Sequence, residues 1–152
     1  AAFNQARTDD GRTPLYVAAE NGDTKIVGLL IGGGAAVNQA RTDNGITPLY
    51  VAAHKGHANV VRLLIGAAAK VNQATTDAGQ TPLYVAAQEG RAEVMSLLIG
   101  SGAVVDQATK EDGATPLYVA AQEGHTEVIG LLICGGAAVN QATTDDGATP
   151  LY

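Results

Sequence analysis

The chain has 152 residues, 46% of them hydrophobic and only 4% aromatic, with 9 Lys and Arg against 15 Asp and Glu and a net charge of −6. That balance argues against nucleic acid as a partner, because phosphate binding needs a basic stripe. A single cysteine, Cys134, excludes a disulfide framework and a thiolate metal cluster.

Read in chain order, the first element is an extended stretch from Asn4 that turns at Asp10-Gly11, a strong turn-forming pair. Thr13-Pro14 then reads as an N-cap followed by Pro at the first helical position. Leu15, Val17, Ala18 and Ala19 supply the apolar face of a short helix, which Gly22 ends. A second helix is predicted from about Asp23 to Ile31, with Ile26, Val27, Leu29, Leu30 and Ile31 on its buried side. Gly32, Gly33 and Gly34 stop it. Val37-Asn38 leads into the next extended stretch, which turns at Asn44-Gly45.

The same elements then recur. Thr-Pro-Leu-Tyr starts at Thr13, Thr47, Thr81, Thr115 and Thr149, each 34 residues after the last. A fixed period of this length means stacked supersecondary units in place of one closed globule. Units begin at about 4, 38, 72 and 106, and a partial fifth covers 140–152, all in one domain over 1–152. Neither helix of a unit is long enough to be stable alone. Stability has to come from stacking, and the Ala18-Ala19 pair and its counterparts let neighbouring helices approach closely.

A 34-residue helix–turn–helix unit also suits a tetratricopeptide repeat, but that pattern needs Trp and the chain has none. The phrase from Gly11 through Thr-Pro-Leu-Tyr-Val-Ala-Ala, Gly22, Leu29-Leu30 and Gly34-Ala35 to Val37-Asn38 instead resembles the ankyrin repeat, over essentially all of the chain. The resemblance implies an all-α repeat solenoid of stacked helix-turn-helix units joined by β-hairpin-like loops. It further implies a non-catalytic protein–protein interaction module that binds through hairpin tips and the exposed, concave side of the first helices. Two features depart from the family: the unit is a residue longer in the hairpin, and Tyr16, Tyr50, Tyr84, Tyr118 and Tyr152 stand where the motif usually has His. A ladder of buried tyrosines is expected, each phenol with a hydrogen-bond partner.

No chemistry-bearing constellation emerges. His54 and His57 form an H-x-x-H pair across Gly56, but metal sites need further ligands and none occur at matching phases. Cys134 has no base beside it and reads as an inert, half-buried thiol. The pairs Asp9-Asp10, Glu111-Asp112 and Asp145-Asp146 fall at hairpin tips, as solvated turn residues. Gly32–Gly34 follows a helix and not a strand, so no phosphate cradle forms. The expectation is a protein that is not an enzyme, with no cofactor and no metal. The N-terminus shows no basic-then-apolar signal and no apolar run approaches a membrane span, so an intracellular, cytoplasmic location without membrane attachment is expected.

Phases that vary between units are free for recognition, and they cluster. At the hairpins they are Arg7 and Arg41; Asp10, Asn44 and Asp112; and Arg12, Ile46 and Gln80. On the first helices they are Glu20, His54, Gln88 and Gln122, with Lys55 beside them. These are the expected partner-binding residues. The second helix also varies, at Lys25, Asn59, Glu93 and Glu127, which weakens the inference. Arg7, Arg12 and Arg41 suggest a basic corner facing an acidic protein or peptide. High identity between units also suits an engineered or consensus-like scaffold, or a piece of a longer array, with no partner of its own. Because neither end carries a specialised capping unit, end-to-end self-stacking is expected.

Overall fold

The structure is a computed structural model that describes residues 4–144 and 147–150. Its helices are α1 (Pro14–Asn21), α2 (Thr24–Gly32), α3 (Pro48–Lys55), α4 (Ala58–Gly66), α5 (Pro82–Gln88), α6 (Ala92–Gly100), α7 (Pro116–Glu123) and α8 (Thr126–Cys134). They pair as α1/α2, α3/α4, α5/α6 and α7/α8, and each pair packs on the next to give an all-α repeat solenoid. Tyr152 and the Asp145-Asp146 turn lie outside the described residues.

Each first helix starts for a local reason. The hydroxyls of Thr13, Thr47, Thr81 and Thr115 accept the N–H of the tyrosine three residues on, at 3.1–3.2 Å. The proline that follows has no N–H to leave unpaired there. These helices are 7 or 8 residues long, too short to persist alone, so packing has to hold them. The row α1–α3–α5–α7 packs more closely than the row α2–α4–α6–α8, because fully buried Ala19, Ala52, Ala53, Ala86, Ala87 and Ala120 line it. Leu15, Leu49, Leu83 and Leu117 fill the space between the rows, with Val27, Val61 and Met95 behind them.

The second helices correct the sequence reading. Of the five apolar residues expected to be buried in α2, only Val27 is. Ile26 is 46% and Leu29 67% exposed, whereas Val60, Val94 and Val128, at the phase of Ile26, are 1% exposed. The difference is positional: that face of α4, α6 and α8 is covered by the preceding helix pair, and no described residue covers it on α2. Cys134, expected to be half-buried, is exposed at the end of α8.

The loops between pairs are hairpin-like without forming strands among the described residues. The same backbone bond recurs in each: Arg7 N to Arg12 O, Arg41 N to Ile46 O and Thr75 N to Gln80 O at 2.9 Å, Thr109 N to Ala114 O at 3.0 Å, and Thr143 N to Ala148 O at 2.8 Å. Neighbouring loops are tied by a further backbone bond, from Thr42 N to Asp10 O, Thr76 N to Asn44 O, Lys110 N to Ala78 O and Thr144 N to Asp112 O, at 2.8–3.2 Å. A side-chain ladder runs alongside. Oδ1 of Asn4, Asn38, Asn72 and Asp106 accepts the N–H of Ala36, Lys70, Val104 and Ala138 at 2.6–2.9 Å.

Candidate protein-interaction surface

The hairpin tips and the ends of the first helices lie along one side of the stack, and their side chains are far from equivalent. Arg7 grips Asp9 with two bonds, at 3.0 and 2.5 Å, and Arg41 grips Asp43 in the same way. Arg12 Nε lies 3.0 Å from Asp10 Oδ2, and its Nη1 3.7 Å from Glu20. The guanidiniums of Arg12 and Arg41 both sit 5.7 Å from the centre of the Tyr16 ring, within cation–π range. The hydrogen bond from Arg41 holds the Asp43 carboxyl below the usual carboxylate range, and Arg7 does the same to Asp9. The three arginines are thus drawn together, but each is matched by a carboxylate of its own loop or helix, and they present no bare cationic corner.

Asp10, Asn44 and Asp112 close their turns. Their Oδ1 atoms accept the N–H two residues on, from Arg12 and Ile46 at 3.0 Å and from Ala114 at 3.2 Å. Ala78 cannot do this, and the Thr75 hydroxyl substitutes by accepting Gln80 N at 3.1 Å. Variation at these phases is therefore partly one turn solved by different residues. Ile46 is half-buried against the core, and Gln80 Oε1 accepts the Tyr50 hydroxyl at 2.6 Å.

That bond accounts for one phenol. Tyr16, Tyr50 and Tyr84 are buried as the expected ladder requires, whereas Tyr118 is only half-buried. Burial, with Asp77 and Tyr84 adding to it, pushes the Tyr50 phenol well above its ordinary value of 10.0; burial and Asp112 raise Tyr84 likewise. Above about pH 10 the unfolded chain releases these protons while the folded chain keeps them, so stability is fully present below that pH and falls above it. Each retained proton steepens the fall by about 1.4 kcal/mol per pH unit. Urea unfolding followed against pH should show a shallower alkaline loss in Tyr50→Phe than in the parent chain; equal slopes would contradict the assignment.

Sequence reasoning missed the role of the phase occupied by Asp23, His57, Arg91 and His125. The His57 ring meets the Glu20 carbonyl at 3.0 Å, Arg91 Nε donates to the His54 carbonyl at 3.1 Å, and the His125 ring meets the Gln88 carbonyl at 2.9 Å. Each joins a helix pair to the one before it. The readable signal was a nitrogen donor just after Gly56, Gly90 and Gly124 where the first unit has Asp; Asp23 instead caps α2 by accepting Ile26 N at 3.0 Å. His57 is thereby held away from His54, whose Nε2 lies 3.6 Å from Glu89. Among the described residues no three His, Cys, Asp or Glu side chains gather to hold a metal ion.

What remains uncommitted is narrower than the sequence suggests. The side chains of Lys55, Gln88 and Gln122 enter no hydrogen bond or ion pair among the described residues, and Lys55 and Gln122 are exposed. Charge is also unevenly spread. Residues 1–71 carry seven Lys and Arg against five Asp and Glu, and residues 72–152 carry two against ten. No described helix is long and apolar enough to cross a membrane.

The comparisons agree with this architecture. A family model for ankyrin repeats, three copies in length, matches residues 1–75. A single ankyrin-repeat model matches residues 78–110 and again 112–144. No curated protein matches the chain. Closely stacked helix pairs, side-by-side hairpin loops and family matches along nearly the whole length lead to one conclusion: the chain belongs to the ankyrin repeat family.

Proposed function

We propose that the chain is a non-catalytic binding module that holds a protein or peptide along the hairpin tips and the C-terminal ends of α1, α3, α5 and α7. Ankyrin repeats are protein-interaction modules in general. The observation that carries the reading here is a row across successive first helices, Gln88 and Gln122 at one phase and Lys55 one residue past that phase on α3, none of them with an internal partner among the described residues. A row that runs over three successive first helices suits an extended partner better than a compact small molecule. Arg7, Arg12, Asp10 and Arg41 contribute at the rim, where paired charges set orientation and on-rate more than affinity. An intracellular, cytoplasmic setting goes with this reading.

The scaffold alternative draws support from the same site. Gln80, Asp10, Asn44 and Ile46 serve their own loops or the neighbouring pair, so variation at those phases does not need a partner. The two readings part on one experiment. Affinity capture is run with the parent chain and with a Lys55→Ala, Gln88→Ala, Gln122→Ala variant whose melting is first shown to be unchanged. A protein retained by the parent and lost by the variant supports recognition on this row. A protein retained equally by both places binding elsewhere, and no retained protein favours the scaffold. Self-association through the end faces of the stack is a further reading, favoured by exposed Ile26 and Leu29.

A further inference from the structure

One phase of the hairpins keeps its acid from unit to unit and loses its cation halfway along. Asp9, Asp43, Asp77 and Glu111 share that phase. Arg7 and Arg41, two residues earlier, grip the first two acids, but Thr75 and Thr109 stand at the same place in the next two units. Arg41 does more than pair with Asp43. Its guanidinium lies 5.7 Å from the centre of the Tyr16 ring, and the phenol adds to the pull of Asp43 on it. Each buried tyrosine looks in this way onto the hairpin of the following unit: Tyr16 onto Arg41, Tyr50 onto Gln80, and Tyr84 onto the hairpin of Thr109 and Asp112.

At Tyr84 the arrangement is incomplete. Among the described residues no cation lies over its ring and its hydroxyl has no hydrogen-bond partner, although the side chain is only 7% exposed. The carboxylates beside it remain. Glu89 comes within 3.6 Å of His54, which lies four residues after Tyr50 and so on the same helix face. The same register sets Glu123 beside Gln88, four residues after Tyr84. Burial, then Asp112 and Glu123, hold the proton on the Tyr84 phenol. Glu123 is exposed and enters no hydrogen bond or ion pair among the described residues. The basic residues of 72–144 are turned elsewhere: Arg91 Nε donates to the His54 carbonyl and Lys110 Nζ to the Thr76 carbonyl, each at 3.1 Å.

We propose that the partner held along this surface presents an arginine at Tyr84, its guanidinium meeting the phenol and Glu123 as Arg41 meets the Tyr16 phenol and Asp43. Resting on the binding-module reading, this makes the occupant an extended segment that is basic where it crosses α5 and α7. Arginine fits better than lysine, because a planar fork of donors can meet a phenol oxygen and a carboxylate together, whereas an ammonium is a point charge. The wider field acts in the same sense. Residues 72–152 carry ten Asp and Glu against two Lys and Arg, which draws a cationic segment toward this half of the chain. The other two buried tyrosines are not equivalent seats. Arg41 already occupies the one at Tyr16, and Gln80 takes the hydroxyl of Tyr50.

Fluorescence anisotropy of labelled Gly-Ser peptides titrated with the full-length chain tests this. One peptide carries arginine at alternate positions, and the others carry lysine, glutamine or glutamate at the same positions. The arginine peptide should bind most tightly and the glutamate peptide not at all, and added salt should weaken the binding. Glu123→Gln, at an exposed position, should weaken it by about fivefold, the upper end of what one exposed ion pair supplies. Thr109→Arg, with melting checked, should abolish it by supplying from within the guanidinium that Arg41 supplies to Tyr16. Equal binding of any other peptide would overturn the inference. If that binding is lost in the Lys55→Ala, Gln88→Ala, Gln122→Ala variant, the binding module stands and only its arginine seat fails. Arginine-peptide binding that ignores both Glu123→Gln and Thr109→Arg would overturn the seat as well. So would failure of every peptide to bind, and affinity capture would then decide the module on its own.

Discussion

Leu64→Ala should lower stability by about 2–5 kcal/mol, the range for emptying a fully buried leucine site. Leu64 is 0% exposed in α4, which packs on α2 and on α6 at once. A cavity there is therefore felt across both junctions. Leu29→Ala is the matched control: the same side chain, 67% exposed on α2, should change stability by no more than about 0.5 kcal/mol. The position within the stack adds a second expectation. Each helix pair is supported only by its neighbours, so stability is a sum of unit and junction contributions. Weakening an interior junction lets the two sides of the stack unfold separately, whereas the same change near one end frays that end first. Urea unfolding by circular dichroism should thus show a lower midpoint and a broader transition for Leu64→Ala. A Leu132→Ala chain, losing an equally buried residue in α8, should show an early partial loss of signal ahead of the main transition. A single sharp transition, equally displaced in both variants, would mean that the array behaves as one closed core.

The elements of the fold were legible because each is fixed by residues close in sequence. Thr13-Pro14, the Ala pair and Gly22 contain the start, packing face and end of α1, and nothing distant has to be known to read them. Burial was less legible. Ile26 and Leu29 look like core residues in any pattern-based reading, and in α4 and α6 their counterparts are mostly covered. Their exposure follows from the absence of a preceding pair among the described residues, a fact about neighbours that periodicity does not carry. The interaction surface was the least legible part. A varying phase looks like freedom from constraint, yet His57, Arg91 and His125 vary in type while meeting one kind of acceptor, and Gln80 serves a tyrosine thirty residues earlier. Variation between units marks recognition only after such internal duties are subtracted, and subtraction needs coordinates. The arginines show the same limit in electrostatics. Arg7 and Arg41 are each followed by Asp two residues on, a spacing that on reflection allows a turn to fold the pair together, and the loops do so.

Gly45→Ala should cost about 2–3 kcal/mol, combining left-handed strain of about 1–2 with a disrupted backbone hydrogen bond of about 1. Gly45 sits at φ +75°, and a Cβ there would lie 2.7 Å from both the backbone nitrogen and Cγ2 of Thr76. That nitrogen donates to Asn44 O at 2.9 Å, the bond that ties one loop to the next, so the methyl group pushes on the junction itself. Gly34 separates the two contributions. It has φ +92° with nothing within 4 Å of the added carbon, and its counterpart in the next unit is Ala68, already accommodated at φ +65°. Gly34→Ala should therefore carry the conformational cost alone, about 1 kcal/mol. The origin of the excess at Gly45 can be tested directly. If the clash lay with the Thr76 side chain, Thr76→Ala would relieve it and the double variant would be close to Gly34→Ala. Because the backbone nitrogen is equally near, Thr76→Ala should rescue little, and the two changes should add within about 0.5 kcal/mol. Full rescue in chemical denaturation would show that the loops can slide past one another and that the lateral backbone bond does not fix their spacing.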